Sequence, residues 1–251
     1  MSETLTRSQV SEARIRVLPP ADMMDTLASA STVKATILDP WYNRGIGGER
    51  DDYNEWLAEV VHAACHVSEH VFLWGFPEIL AYQIPAIPKG FRLLAWLTWY
   101  YKNCPSVVRG WWSAQNTCLH LAVDDVAVYP EHFLNQEQLE RWKSGKMRFI
   151  PGPTSVIETP LNIGFVGKSE QTGHPAQKPL AVIELLVLMA TRPGNTVLDP
   201  MCGSGTTGEA CRRLQRHTIL CDSSPDYLDI TCKRLYARRS QVDDTYGSQL
   251  E

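Results

Sequence analysis

Two stretches of this 251-residue chain carry side chains whose types and spacing could do chemistry. In "TILDPWYN", residues 36–43, an apolar run ends in Asp39, followed by Pro40, Trp41 and Tyr42. A carboxylate, a carbonyl on a residue of fixed φ and a flat ring are the parts needed to hold a planar group and polarise a hydrogen-bearing nitrogen on it. Read alone, the same letters fit a strand end with two core aromatics at least as well. In "VLDPMCGSGTTGEA", residues 197–210, Gly203, Gly205 and Gly208 give G-x-G-x-x-G between an apolar strand and a helix. Asp222 closes the next strand, where a ribose-binding carboxylate is expected. The glycines permit a tight turn and let a ligand approach the backbone, and the helix start beyond offers unpaired N–H groups.

The loop's own acid narrows the ligand. A pyrophosphate seeks a helix N-terminus with no anion nearby, and Asp199, just before Pro200, would repel it. Asp199 suits a ligand with adenosine at one end and a cationic amino acid at the other, as in S-adenosylmethionine. Only roughly 45 residues follow the loop, too few for the second half of a dinucleotide fold. A nicotinamide-dependent oxidoreductase is disfavoured on both counts.

Alternating strands and helices must position these groups. Buried-strand patterns fall at 33–39, 70–75, 91–101, 116–124, 195–199 and 217–222. Helical patterns fall at 52–68, 176–192, 206–216 and 224–239, with a shorter one within 130–145. This order predicts an α/β, doubly wound, mostly parallel sheet in one domain over 15–237. A flexible segment is expected over 1–14 and a polar tail over 238–251.

Composition bounds the partners. Hydrophobic residues make up 44% of the chain, yet no apolar run reaches the roughly 18 residues that span a bilayer. The start of the chain has no apolar signal region. Seven scattered cysteines without C-x-x-C fit reduced thiols in a cytoplasmic protein. A net charge of -4 excludes a strongly basic nucleic-acid binder, so any such binding must use local patches. Lys102, Arg109, Trp111 and Trp112, within 98–116, interleave cations with aromatics as nucleic acid requires, or form a packed loop. Lys143, Lys146 and Arg148 could touch phosphates or be a solvated run. His62, His66 and His70 recur every four residues, but no second ligand cluster supports a metal.

Three motifs then carry a family resemblance. "TILDPWYN" resembles the D-P-P-Y catalytic motif of amino-methyltransferases acting on DNA bases. "HPAQKP", 174–179, resembles the H-P-T-Q-K-P element of one group of them, and "VLDPMCGSGTT" that group's cofactor loop. The order, catalytic motif first, resembles the β-group of adenine-N6 and cytosine-N4 DNA methyltransferases over roughly 15–237. The resemblance implies a Rossmann-like S-adenosylmethionine methyltransferase fold, a seven-stranded, mostly parallel sheet with helices on both faces and one antiparallel strand.

It also implies roles. Asp199, Pro200, Cys202, Gly203, Ser204, Gly205, Thr206 and Thr207 would line the methionine end of S-adenosylmethionine. Asp222, in place of the family's usual Glu, would hold the ribose beside Ser223. Lys178 would belong to the loop closing over the cofactor, and Asp22 would lie near the adenine. Asp39, Pro40, Trp41 and Tyr42 would be catalytic. The Asp39 carboxylate and the Pro40 carbonyl would accept the two hydrogens of an exocyclic amino group, drawing its nitrogen toward tetrahedral geometry for in-line attack. Tyr42 would stack on a base flipped from the helix. Trp41, where a second Pro is usual, either widens that platform or packs inward. Asp39 tilts the target toward adenine N6, with cytosine N4 or an RNA adenine as alternatives. A catalytically inactive nucleic-acid-binding subunit would keep the same fold. Little chain remains for target recognition, which implies short loops within 99–115 and 130–165, a homodimer, or a companion specificity or restriction subunit.

Overall fold

The computed structural model describes residues 13–43, 48–103, 107–108 and 110–246. Its strands are β1 (Ile15–Val17), β2 (Val33–Leu38), β3 (Ser68–Gly75), β4 (Phe91–Tyr100), β5 (Val107–Val108), β6 (Trp111–Trp112), β7 (Gln115–Val123), β8 (Val156–Glu158), β9 (Thr196–Asp199) and β10 (His217–Leu220). The helices are α1 (Met23–Ser29), α2 (Tyr53–Val67), α3 (Pro77–Gln83), α4 (Gln136–Lys143), α5 (Leu180–Ala190), α6 (Thr206–Arg213) and α7 (Pro225–Tyr246).

Eight strands form the main sheet in the order β1-β10-β9-β2-β3-β7-β4-β8, with β5 and β6 as a separate ribbon. Strand β7 runs antiparallel to both its neighbours, and the other pairings are parallel. Two three-residue edge strands, β1 and β8, join the six strands read from apolar runs, so the sheet has eight strands where seven were expected. Such short edges bury too little to leave a hydrophobic pattern. Helix α7 runs into the segment expected as a polar tail, 238–251, as far as Tyr246. Polar composition there suggested a tail, but it contains no Gly or Pro to stop a helix before Gly247.

Alternation along the strands builds two cores. Val71 and Leu73 join one cluster with Leu57, Val60, Val61 and Ala64, which recur at helical spacing on α2. Phe72 and Trp74, pointing to the other face, join a second cluster with α5 and α6. Helices on both faces leave the ends of the strands as the open surface. The C-terminal ends of β2, β9 and β10 therefore meet on one edge, together with the start of the antiparallel β7. Ligands of open α/β sheets bind along this edge.

Candidate active site

At the end of β2, Asp39 is held from several sides. Lys178 Nζ donates to Asp39 Oδ1 at 2.7 Å and to Oδ2 at 2.5 Å. The Tyr42 hydroxyl donates to Oδ1 at 3.0 Å. The same hydroxyl accepts from Asn116 Nδ2 at 2.9 Å and from Lys178 Nζ at 3.1 Å. With one hydrogen given and two accepted, that oxygen has its full complement, and the ring cannot swing without breaking bonds. Burial, then the Asp39 charge, pushes the Tyr42 hydroxyl well above its ordinary value, so it stays a neutral donor. The Tyr42 ring packs edge-on against Phe76, with centroids 4.7 Å apart.

Lys178 is buried, with its ammonium 5.3 Å from the Trp74 ring and 5.6 Å from the Tyr42 ring. Both distances are within cation–π range. Pro179 caps α5, so the chain arrives here extended and Lys178 points at β2. Its side chain thus serves the Asp39 cluster. Only its backbone meets the glycine loop, where the Lys178 carbonyl accepts from Thr206 Oγ1 at 3.1 Å.

Trp41 turns away from this cluster. Its ring packs on Trp56 at 4.7 Å and Tyr53 at 5.6 Å, and its Nε1 donates to the Gly48 carbonyl at 3.1 Å. Of the two positions open to it, the inward one is the one seen. Pro40, between them, is buried.

The glycine loop follows β9. Gly205 caps α6 in the left-handed region, φ 72°, and a Cβ there would lie 2.9 Å from Thr231. Gly203, φ 49°, would place a Cβ 3.0 Å from His174 Nε2. Thr231 Oγ1 donates to the Gly203 carbonyl at 2.9 Å, and Arg234 Nη1 donates to the Ser204 carbonyl at 3.1 Å. Helix α7 thereby braces the loop from below. Asp222 Oδ2 accepts from Gly203 N–H at 2.9 Å and its Oδ1 from Ser224 N–H at 2.9 Å, while Ser223 is exposed beside it. Asp199 Oδ2 accepts from Thr207 Oγ1 at 2.5 Å, and Oδ1 from Met201 N–H at 3.2 Å. Burial raises the Asp199 carboxyl to about 7, against the lowering effect of those two bonds. A buried acid this close to neutrality fits a cation that would hold it ionised. The loop itself supplies none: residues 199–207 contain no Lys, Arg or His.

Asp22 caps α1 through a 2.8 Å bond from Met24 N–H, one residue beyond the bond from Ala21 N–H to the Asp222 carbonyl. It therefore flanks the β10 end of the loop. Cys202, Ser204, Thr206 and Thr207 are all buried.

Beside Tyr42 opens a cleft of about 850 Å³, lined among others by Arg50, Phe76, Tyr82, Trp111 and Trp112. Lys102 stands near the base of the β5–β6 ribbon, paired with Glu158 at 2.5 Å. Arg109 lies outside the described residues. Lys143, Lys146 and Arg148 are not brought to the cluster. Helix α4 follows a turn whose Tyr129 N–H bonds the Met189 carbonyl at 2.9 Å, at the far end of α5. That end is about 16 Å along the helix from Lys178, at 1.5 Å per residue over 11 residues. His70 sits on β3 against His120, Nδ1 to Nε2 3.0 Å, so the three spaced histidines do not share a helical face.

The residues that sequence reasoning missed are Asn116, Trp74, Thr231 and Arg234. Each comes from a distant segment. Asn116 alone left a trace, as one of the polar residues Gln115, Asn116 and Thr117 that head a strand running into Leu119, Leu121, Ala122 and Val123.

A family model described as DNA methylase matches residues 33–233. The type II methyltransferase M.HpaI of Haemophilus parainfluenzae is 27% identical, over 82% of this chain and 68% of its own length. M2.DpnII of Streptococcus pneumoniae is 32% identical, over 59% of this chain and 53% of its own length. The chain therefore spans about two thirds of the first and about half of the second. Among solved structures, an M1.HpyAVI–SAM complex aligns with TM-score 0.66 at 23% identity, covering 88% of this chain and 99% of that one. The cytosine-N4-specific PvuII DNA methyltransferase aligns with TM-score 0.65 at 17% identity, covering 94% and 93%. Both likenesses show a shared fold.

Proposed function

The chain belongs to the DNA methylase family, and from that premise we propose that it transfers a methyl group from S-adenosylmethionine to an exocyclic amino group of a DNA base, adenine N6 in the first place. The observation that carries this reading is the junction at Lys178. Its side chain grips Asp39, while its carbonyl receives the first residue of α6. The acceptor for an amino hydrogen and the cofactor loop are thus tied through one residue.

The loop fits the cofactor. Asp199 offers a carboxylate to an ammonium, Asp222 stands at the next strand end for ribose hydroxyls, and the loop carries no cation to attract phosphate. When bound, the cofactor supplies an electrophilic methyl on a sulfonium.

The remaining work falls to the chain. Asp39 accepts one amino hydrogen and the Pro40 carbonyl the other, which localises the nitrogen lone pair. As the N–CH₃ bond forms and the S–CH₃ bond breaks, the nitrogen gains positive charge beside the Asp39 carboxylate. Its extra proton then leaves to Asp39 or to water. Tyr42, locked by three hydrogen bonds, offers its ring as the stacking face for the base. Trp41 holds the β2–α2 turn from the core side.

Cytosine N4 is the alternative target, because it presents the same amino group to the same two acceptors. The test of the chemistry is Asp39→Ala. Methyl transfer should be abolished while calorimetry still shows cofactor binding. A variant that methylates at the normal rate would remove Asp39 from the mechanism.

A further inference from the structure

We infer that Asn116 is a positioning residue for Asp39: it fixes the Tyr42 hydroxyl hydrogen on Oδ1 and so assigns Oδ2 to the amino hydrogen of the base. The inference rests on the function proposed above and deepens it, by naming the acceptor oxygen and the side chain that selects it.

The selection starts at the backbone. Asn116 stands second in β7 and is buried, at 6% exposure. Its Oδ1 accepts from the Thr117 N–H at 2.8 Å. A backbone N–H can only donate, so the amide oxygen must lie on that side and the amide nitrogen on the other. Nδ2 then donates to the Tyr42 hydroxyl oxygen at 2.9 Å. Lys178 Nζ, which has no acceptor capacity either, reaches the same oxygen at 3.1 Å. These two donors fill the lone pairs of the hydroxyl, and its hydrogen has to point elsewhere. Asp39 Oδ1, at 3.0 Å, receives it. Burial and then the Asp39 charge keep that hydrogen on the tyrosine.

The consequence falls on the carboxylate. Each of its oxygens accepts two hydrogen bonds in the carboxylate plane. Oδ1 has both, from Tyr42 at 3.0 Å and from Lys178 at 2.7 Å. Oδ2 accepts from Lys178 at 2.5 Å and is the oxygen with a place for the base. An amino group aimed at one defined oxygen has a defined direction for its nitrogen lone pair, which in-line attack on a methyl group requires. A buried asparagine can also serve the fold alone, by satisfying a backbone N–H. The two roles part at Tyr42: positioning acts through its hydroxyl and vanishes without it.

The test combines Asn116→Asp, Asn116→Leu and Tyr42→Phe in the full chain. Asp keeps the shape and reverses the polarity, so that it draws the Tyr42 hydrogen away from Asp39. Leu keeps the volume and removes the donor. Either should lower kcat for methyl transfer by about 10–100-fold, with cofactor affinity and the KM for DNA within about threefold. Added to Tyr42→Phe, Asn116→Leu should change kcat by less than about twofold. Single variants with wild-type kcat, or losses that multiply in the double variant, would overturn the inference. The hydrogen bond is read separately by nuclear magnetic resonance on protein labelled at asparagine. Tyr42→Phe should move the Asn116 side-chain amide proton upfield, and an unmoved signal would overturn the inference even where the Asn116 variants do not fold. That shift in a wild-type protein that transfers no methyl group would defeat the proposed reaction and leave the hydrogen placement standing. Normal methyl transfer without the shift would do the reverse.

Discussion

Lys178 and Asp39, 139 positions apart in the chain, form an ion pair in which one ammonium reaches both carboxylate oxygens, at 2.7 and 2.5 Å. The lysine side chain is 8% exposed and the aspartate 22%. The pair fixes the carboxylate, and it also occupies the oxygens that an incoming amino group must use. In the proposed reaction Lys178 would be a positioning residue that yields part of its hold when a base arrives.

Replacing the charge without the bulk tests this. Lys178→Met should lower kcat by about 10–100-fold, within the range set by losing one preorganised electrostatic partner. The KM for DNA should hold steady or fall, because a competitor for Asp39 is gone. Lys178→Arg should recover part of kcat. Cofactor affinity should change little, since the lysine's side chain faces Asp39. If instead cofactor affinity collapses and kcat at saturation is normal, the side chain belongs to the cofactor site, as the H-P-T-Q-K-P resemblance implies.

If Asp199 meets the ammonium of the cofactor, as proposed, it should make cofactor binding depend on pH. Burial raises its carboxyl to about 7 in the free protein, and a bound ammonium would favour the ionised form. Binding then requires loss of a proton below that value. Affinity for S-adenosylmethionine should rise between pH 5.5 and 7, by up to about tenfold per pH unit, and level off above. Calorimetry in two buffers of different ionisation enthalpy should register the released proton. Asp199→Asn should bind more weakly and without this dependence. A wild-type affinity that is flat across that window would contradict the role.

The buried pair His70 and His120 predicts the acid side of stability. Burial holds His70 down to about 4, and burial followed by the His70 charge holds His120 down to about 3. Both folded values lie below the unfolded one, so the unfolded chain binds more protons in this range. Their contribution is fully present above pH 6.5 and is lost as pH falls toward 4, at up to about 1.4 kcal/mol per pH unit for the first proton. Asp199 acts with the opposite sign, because its raised carboxyl favours the folded state as pH falls from 7. The two effects are separated by comparison with His70→Gln combined with His120→Gln. From pH 6.5 to 5, urea denaturation should show wild type losing stability relative to that variant. Parallel pH profiles would rule out the pair as the cause.

Gly205 gives a steric test of the loop. Its φ of 72° and the 2.9 Å approach of Thr231 leave no room for a methyl group. Gly205→Ala should cost about 1–3 kcal/mol of stability and weaken cofactor binding. Thermal unfolding with and without S-adenosylmethionine reads both. An unchanged melting temperature would mean that α7 gives way easily and does not brace the loop.

Much of this was legible in the chain, for identifiable reasons. Strands β2, β3, β7, β9 and β10 are buried on both faces, and such strands read as continuous apolar runs. The glycines announced their loop because left-handed residues at a helix start need them. What stayed hidden depends on tertiary contact. The edge strand β1 is three residues long and exists because β10 offers a free edge. Helix α3 spans seven residues between Pro77 and the Ile84-Pro85 break, too short for a period to show. Trp41 could be resolved only once α2 brought Tyr53 and Trp56 against it. The motif places Lys178 in the loop over the cofactor, and its contact with Asp39, 139 positions away, is one no local pattern carries.

The central claim is the transfer of a methyl group to a base amino nitrogen, and the nucleoside product tests it most directly. Mixed-sequence DNA, offered single-stranded and duplex, would be incubated with the protein and methyl-labelled S-adenosylmethionine, digested and resolved by mass spectrometry. We predict label in N6-methyladenine, absent with Asp39→Ala. Label in N4-methylcytosine would keep the chemistry and change the base. Label on a ring carbon, or in neither strand form while the cofactor binds, would contradict it.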